Sequence, residues 1–312
     1  MFRILFTLSL VFLSVSCQRK QNKNGYSVNE TVKISGSNSE YEMVRQLLEE
    51  FSKNKKFKYE LEGTGSEKGI KQFMMGEIDM AMSSRRLKPY EFNILKSKGI
   101  DFIEIVFAYD ALAFITNYKN SIDSLSIDQL HDILSGKIIS WYQVSKFKAP
   151  IKIYGRNTES GTFHFIEDKF NIPGLRKYQI SCNSSREIIE NVMNDSCGLG
   201  YVSIGYILDQ NKKLNKNIWP IPLYFHGSGI SAVSPLQYQY VSKNLYPVCR
   251  PLYQYFRLPI KKELKEFLNF ELSAQGQNLV ESCGFYKINT ELQIQNNIQL
   301  MKLSEESKGL NN

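Results

Sequence analysis

Apolar residues along this chain switch repeatedly between two spacings. Residues 32–35 form a short β-branched run that gives way to Gly36-Ser37-Asn38-Ser39. Met43, Val44, Leu47, Leu48 and Phe51 then recur three and four positions apart. The first spacing predicts a strand and the second one face of a helix. The unit repeats at once: residues 58–61 alternate, Gly63-Thr64-Gly65-Ser66 turns, and Ile70, Phe73 and Met74 mark a helix face. Residues 78–82 are a further apolar strand, ending in Ser83-Ser84-Arg85-Arg86. Residues 151–154 run into Gly155-Arg156-Asn157-Thr158-Glu159-Ser160-Gly161-Thr162, followed by Phe163, Phe165, Ile166 and Phe170 at helical spacing. Strands alternating with helices predict an α/β fold with mainly parallel sheets flanked by helices. Ligands of such sheets sit beyond the carboxyl ends of the strands, where these polar turns fall.

The N-terminus follows another pattern. Residues 1–16 read MFRILFTLSLVFLSVS, with Arg3 ahead of an apolar stretch. That stretch is shorter than the ~20 residues of a membrane-spanning helix and suits the core of a signal peptide. Ser14 and Ser16 lead into Cys17, which resembles a bacterial lipoprotein signal, in which the cysteine is lipidated after cleavage. Ser14 stands where that signal usually has Leu, and the alternative is an ordinary secretory signal cut near Ser16. Residues 17–30 are polar and aperiodic, as in a flexible tether. The expected location is outside the cytoplasm, in the periplasm or at the cell surface, with the chain held to a membrane through Cys17.

Composition narrows the function classes. Of 312 residues, 42% are apolar and 22% charged, which excludes a wholly disordered chain, a collagen-like fibre and a multi-span membrane protein. The length fits about two domains. The formal charge of +8 points toward anions, yet no dense basic run appears, so nucleic acid is not an expected partner. Four cysteines follow Cys17, at 182, 197, 249 and 283. An exported chain can pair them in three ways, and four free thiols are the alternative. None has CxxC spacing, and His131, His164 and His226 lie far apart, so neither a metal nor another cofactor is expected.

The candidate chemistry lies in the turns. A helix start offers unpaired N–H groups and a partial positive charge, and adding Ser and Thr hydroxyls makes an anion cradle. For Ser37 or Ser66 alone the plainer reading is a helix cap. Ser160-Gly161-Thr162 is sharper, because Arg156, four residues earlier, can turn a planar fork onto an oxyanion. The phosphate loop of nucleotide hydrolases and the GxSxG elbow are both missing. With no nucleophile–base pair, catalysis is not expected.

The order of these segments resembles that of the phosphate-binding proteins of bacterial phosphate ABC transporters, which are type II periplasmic-type binding proteins. The segments are ISGSNS, GTGSEKGI, EIDMAMSSR, FAYDALAFITN, LSIDQLHDILSGKIISW, YGRNTESGTF, GLGYV and YPVCRPLYQY, spread over residues 31–286. The resemblance implies two lobes joined by crossing segments near 111–117 and 228–236 that form a hinge. Lobe one would span 31–114 and 232–303, lobe two 115–231, and 304–312 would be a polar tail. It implies a monomer that captures inorganic phosphate in the cleft and delivers it to an ABC permease. Carried over by position, the ligands are Ser37, Asn38, Ser39, Ser66, Ser84, Arg156, Ser160, Gly161 and Thr162. Some members have an aspartate at the place of Ser84, where it accepts the ligand's proton. Some have one at the place of Thr158, where it steers the arginine. Alternatives are a sister protein for sulfate or molybdate, or a surface lipoprotein that binds a macromolecule. Arg85 and Arg86 are expected in salt bridges, Asp110 as a buried paired carboxylate, and Ser126 with Gln129 as a capping box.

Overall fold

The computed structural model describes residues 31–309 except 54, 121, 210, 228, 230 and 244, with side chains described as far as Met301. The leader, Cys17 and the tether lie outside the described residues.

The strand–turn–helix units form where the spacing places them. Strand β1 (Val32–Gly36) leads into helix α1 (Asn38–Ser52), β2 (Tyr59–Glu62) into α2 (Ser66–Met75), and β3 (Met80–Ser83) is followed by α3 (Pro89–Ser97). A 16-residue strand, β4 (Phe102–Asn117), comes next. After it run β5 (Leu125–Ser126), α4 (Ile127–Leu134), β6 (Lys152–Arg156), α5 (Gly161–Lys169), β7 (Ile180–Cys182), α6 (Ser185–Asn194) and β8 (Gly198–Ser203). Then come β9 (Ile218–Pro220), β10 (Leu223–Tyr224), α7 (Tyr238–Val241), β11 (Cys249–Arg257), α8 (Lys262–Leu272), α9 (Ala274–Ser282) and α10 (Thr290–Gly309). Ser126 and Gln129 cap α4 reciprocally, at 3.1 and 2.9 Å.

The strands lie in the order β2-β1-β3-β11-β4-β8-β6-β7, with β9 also on β4. β1 pairs in parallel with β2 and β3, and β6 with β7 and β8; β11, β4 and β9 pair antiparallel. β4 serves both halves. Its residues up to Ala111 pair with β11, and from Leu112 onward with β8. The fold is the two-lobed type II arrangement, each lobe a mixed sheet with helices against it, parallel in its outer strands and antiparallel around β4. One core joins α1 to α8 and α9 through Met43, Val44, Leu47, Phe267, Leu268 and Val280. The other gathers Phe114, Trp141, Ile166, Ile188 and Tyr201. Each such side chain contributes about 1.5–3 kcal/mol by leaving water.

Three details differ from expectation or settle it. Residues Ala111 to Phe114, and Val233, Val241, Tyr246 and Val248, pack into the second core. Lobe one was expected to extend to residue 114 and to resume at 232. The packing shifts because β4 changes partner at Ala111 and because Val233 bridges to Leu223 in the second lobe. Ser228 and Ile230, in the expected return crossing, lie outside the described residues. The tail expected from 304 is helical as far as Gly309, since its Glu and Lys residues are good helix formers. Cys182, Cys197, Cys249 and Cys283 are free thiols.

Glu271 on α8 is fully buried against β11, where Gln254 Nε2 donates to its Oε1 at 2.9 Å. Its Oε2 and Gln254 Oε1 have no partner, which is the pattern of an acid waiting for a proton. Burial raises its pKa from 4.5 to about 8. The folded state thus holds a proton that the unfolded chain releases above pH 4.5. This contribution to stability is complete below that pH and is lost as pH rises toward 8. Glu271→Gln mimics the neutral acid. Urea unfolding should find the variant equal to the parent at pH 4.5 and more stable by on the order of 3 kcal/mol at pH 8.

Candidate oxyanion site

The site is assembled from helix starts. Ser37 precedes α1 but makes no side-chain cap bond. Its hydroxyl bonds the Ser84 hydroxyl at the end of β3 instead. Gly65, before α2, has no cap to give, and Ser66 Oγ accepts the Ser84 N–H at 3.1 Å. Ser160 does cap α5, accepting from Thr162 N–H at 3.2 Å. The cap reading thus fails for Ser37, whose helix start keeps N–H groups for another acceptor, and for Ser66, which is the first residue of α2 behind Gly65, whereas Ser160 is itself a cap.

Residues of the two lobes meet here. Ser39 Oγ lies 3.0 Å from Thr162 Oγ1, and the Glu67 N–H donates to Glu159 O at 3.3 Å. Tyr206 donates its hydroxyl proton to Asn38 O. Ser37, Ser39, Ser66, Ser84, Arg156, Ser160, Gly161 and Thr162 are all buried, and Asn38 is half-buried at the edge. All nine candidate positions therefore fall in one cluster.

Arg156 ends β6 and is 3% exposed. Its Nη2 donates to Asn183 O at 3.0 Å. With the Asn38 amide in the orientation that satisfies it, Nη2 also meets Asn38 Oδ1 at 3.1 Å. Nε has no partner. Neither Thr158 nor Glu159 steers the guanidinium. Glu159 is exposed, and Thr158 O is engaged by His164 Nε2. Among the described residues no carboxylate pairs with Arg156, and burial lowers its pKa. A buried cation held only by neutral dipoles is costly unless an anion completes it.

Behind the hydroxyls Asp110 is the buried, paired carboxylate expected from the sequence, and its partner, Arg250, is the residue that the sequence does not announce. Arg250, at the start of β11, donates through Nη2 at 2.9 Å and Nε at 3.1 Å to Asp110 Oδ2, both residues being almost wholly buried. The same Nη2 reaches Thr162 Oγ1 at 3.1 Å and both Ser39 and Ser203 Oγ at 3.3 Å. Arg250 therefore orients one hydroxyl from each side of the cleft. Arg85 and Arg86 are otherwise occupied. Arg85 is buried with Glu91 and Glu67, and Arg86 pairs with Glu104.

Gly161 marks how closely the lobes approach. A Cβ there would sit 2.3 Å from Ser66 Oγ and 2.8 Å from Ser66 Cβ. Real Cβ atoms do not tolerate that spacing, so Gly161→Ala props the cleft open. Its affinity for the site's anion, read by titration calorimetry, should fall by at least about tenfold, which is one lost hydrogen bond to a charged group. Melting temperature should hardly change.

Two α/β lobes that close hydroxyls, helix starts and an unpaired arginine on one another define a solute-binding protein for a small oxyanion. The profile of the PBP superfamily domain matches residues 22–275, and the chain belongs to that superfamily of periplasmic-type binding proteins. It is 30% identical over 264 residues to protein SphX of Synechococcus elongatus, covering 81% of this chain and 76% of that one. It is 27% identical over 296 residues to the phosphate-binding protein PstS of Borreliella burgdorferi, covering 92% and 98%. Among solved structures, it resembles a substrate-binding protein of Clostridium perfringens, described as belonging to a phosphate ABC transporter and solved with phosphate bound. The TM-score is 0.72 at 26% identity, covering 83% of this chain and 100% of that one.

Proposed function

We propose that this protein captures inorganic phosphate between its lobes and delivers it to an ABC permease. The observation that carries this reading is Arg156, buried with no carboxylate partner among the described residues and held only by Asn183 O and Asn38 Oδ1, in the cluster where hydroxyls of the two lobes meet at Ser39 and Thr162. Tetrahedral phosphate offers four oxygens. Arg156 and the uncapped N–H groups at the starts of α1 and α2 supply donors, as do the hydroxyls of Ser37, Ser39, Ser66, Ser84, Ser160 and Thr162. Full pairing is what makes burial of such an anion favourable. Gly161 admits the close approach, and Asn38 closes the rim. The names of the B. burgdorferi and C. perfringens relatives support the choice of phosphate and of the transporter.

The lobes that close are residues 31–111 with 249–303, and 112–248. Phosphate meets one lobe first, and hinge closure then brings up the donors of the other. Cys17 carries the lipid that holds a monomer at the outer side of a membrane. Among the described residues no helix is long and apolar enough to cross one. Calorimetric titration of the chain from residue 18 should give one-to-one phosphate binding, with sulfate a weaker competitor. Absence of heat with folded, anion-free protein overturns the reading, and equal competition by sulfate turns it into a general oxyanion carrier.

A further inference from the structure

The turn at 203–206, which follows β8, belongs to the second lobe and lies against the first at three places. Ser203 Oγ donates to Asp110 Oδ2 at 2.7 Å, where β4 crosses between the lobes. A Cβ on Gly205 would sit 2.6 Å from Phe285 Cε2 and 2.9 Å from Cys283 O, so the turn comes this close because the residue is glycine. Tyr206 then donates its hydroxyl proton to the main-chain oxygen of Asn38, the first residue of α1. Ile204 and Ile207 are buried in the second core and Phe285 in the first. The backbone on either side of the tyrosine is therefore held, and the phenol is the part that can move.

Asn38 gives this contact a meaning for the anion. In the amide orientation that satisfies it, its side-chain oxygen meets Arg156 Nη2 at 3.1 Å, while its main-chain oxygen takes the Tyr206 proton. One residue of the first lobe thus joins the arginine and the tyrosine of the second. The bonds beside it are of other kinds. Ser39 and Thr162 are donors to the anion itself, and Glu67 meets Glu159 through backbone groups. Tyr206 joins the lobes without belonging to the anion's donors. With Ser39, Glu42, Arg45 and Arg186 it lines a cavity of about 690 Å³, which gives the ring room to swing off Asn38. Burial pushes its phenol up to about 12, so it remains a proton donor across the neutral range.

We propose that Tyr206 is a positioning residue for retention of the anion: its hydroxyl latches the second lobe onto the start of α1, and the breaking of that bond sets the rate at which phosphate leaves the cleft. The proposal rests on the phosphate reading and deepens it. The bond forms only once the lobes have met, so it follows capture and does not assist it. A contact made after binding slows departure and leaves the rate of arrival unchanged. While the latch is closed, Asn38 stays within reach of Arg156, and the guanidinium is aimed from both lobes. Once the phenol swings away, the second lobe keeps Arg156 through Asn183 O and is free to part from the first.

The test is rapid-mixing kinetics of radiolabelled phosphate on the parent chain, Tyr206→Phe, Gly205→Ala and the double variant, with release chased by unlabelled phosphate. Phe keeps the ring and removes the hydroxyl. Release should become about fivefold faster, the worth of one neutral hydrogen bond, with the association rate and the melting temperature of the anion-free protein unchanged. Gly205→Ala leaves the tyrosine in place but lifts the turn off Phe285 and Cys283, and it should speed release at least as much. Both substitutions act through the same bond, so the double variant should release no faster than Gly205→Ala alone, a non-additivity that two unrelated structural losses would not give. An unchanged release rate in Tyr206→Phe, a loss of affinity that arises from slower association, or additive effects in the double variant overturn this proposal alone. A parent that binds no phosphate overturns both it and the reading beneath it.

Discussion

Arg156→Ala should abolish tight phosphate binding while leaving the protein at least as stable as before. The guanidinium offers a free Nε and a fork already aimed by Asn183 O and Asn38. Two charge-assisted bonds at about 1.5–3 kcal/mol each amount to about 3–6 kcal/mol, or a loss of about 10²–10⁴ in affinity. Stability behaves differently because the folded, anion-free protein gains nothing from this charge. Arg156 is desolvated without a bonded carboxylate, and burial already depresses its pKa. Removing it relieves that cost and leaves two carbonyl oxygens to find other partners. Calorimetry and thermal melting of the same sample separate the two effects. Unchanged affinity would take Arg156 out of the site, and a large drop in melting temperature would make it structural.

Arg250→Leu should show the opposite balance, with stability lost first. Its guanidinium is the cation bonded to Asp110, which is wholly buried and has Ser203 Oγ at 2.7 Å as its other side-chain partner. Breaking one member of such a pair costs about 3–5 kcal/mol, because the remaining charge is stranded. Asp110→Asn in the same chain should recover much of this. The double variant tests whether the loss comes from the stranded carboxylate or from lost packing. Phosphate affinity should fall in both, since Ser39 and Thr162 lose the donor that orients them. Urea midpoints for the single and double variants, set beside phosphate titrations, measure both consequences.

The local units of this fold are legible in the chain because strand, glycine turn and helix are each decided by neighbours a few residues away. For that reason Ser37, Ser39, Ser66, Ser160 and Thr162 could be placed at helix starts, and Arg156 beside one of them. Arg250 could not be placed. Its partner Asp110 is 140 residues away in sequence, and the register of β11 against β4 is a tertiary fact. Which core residues 233–248 join was not legible, because their described residues carry one bridge and one short helix, too little periodicity to show it. The steering carboxylate that the resemblance implied beside the arginine is supplied neither at Thr158 nor by Glu159, which is exposed. Backbone oxygen at Asn183 does that work, and carbonyls are invisible to residue-type reasoning.

Strand β11 enters the first lobe between β3 and β4. It is made of residues 249–257, so a chain that emerges N-terminus first has exposed all of residues 112–248 before that slot can be filled. Until then β3 and β4 each present an unpaired edge, the condition that invites association with other chains. The segment between them is contiguous and can condense early, whereas closing the first lobe joins residues far apart in sequence and is correspondingly slow. The N-terminal third is therefore the first part of the molecule to be made and the last to be completed.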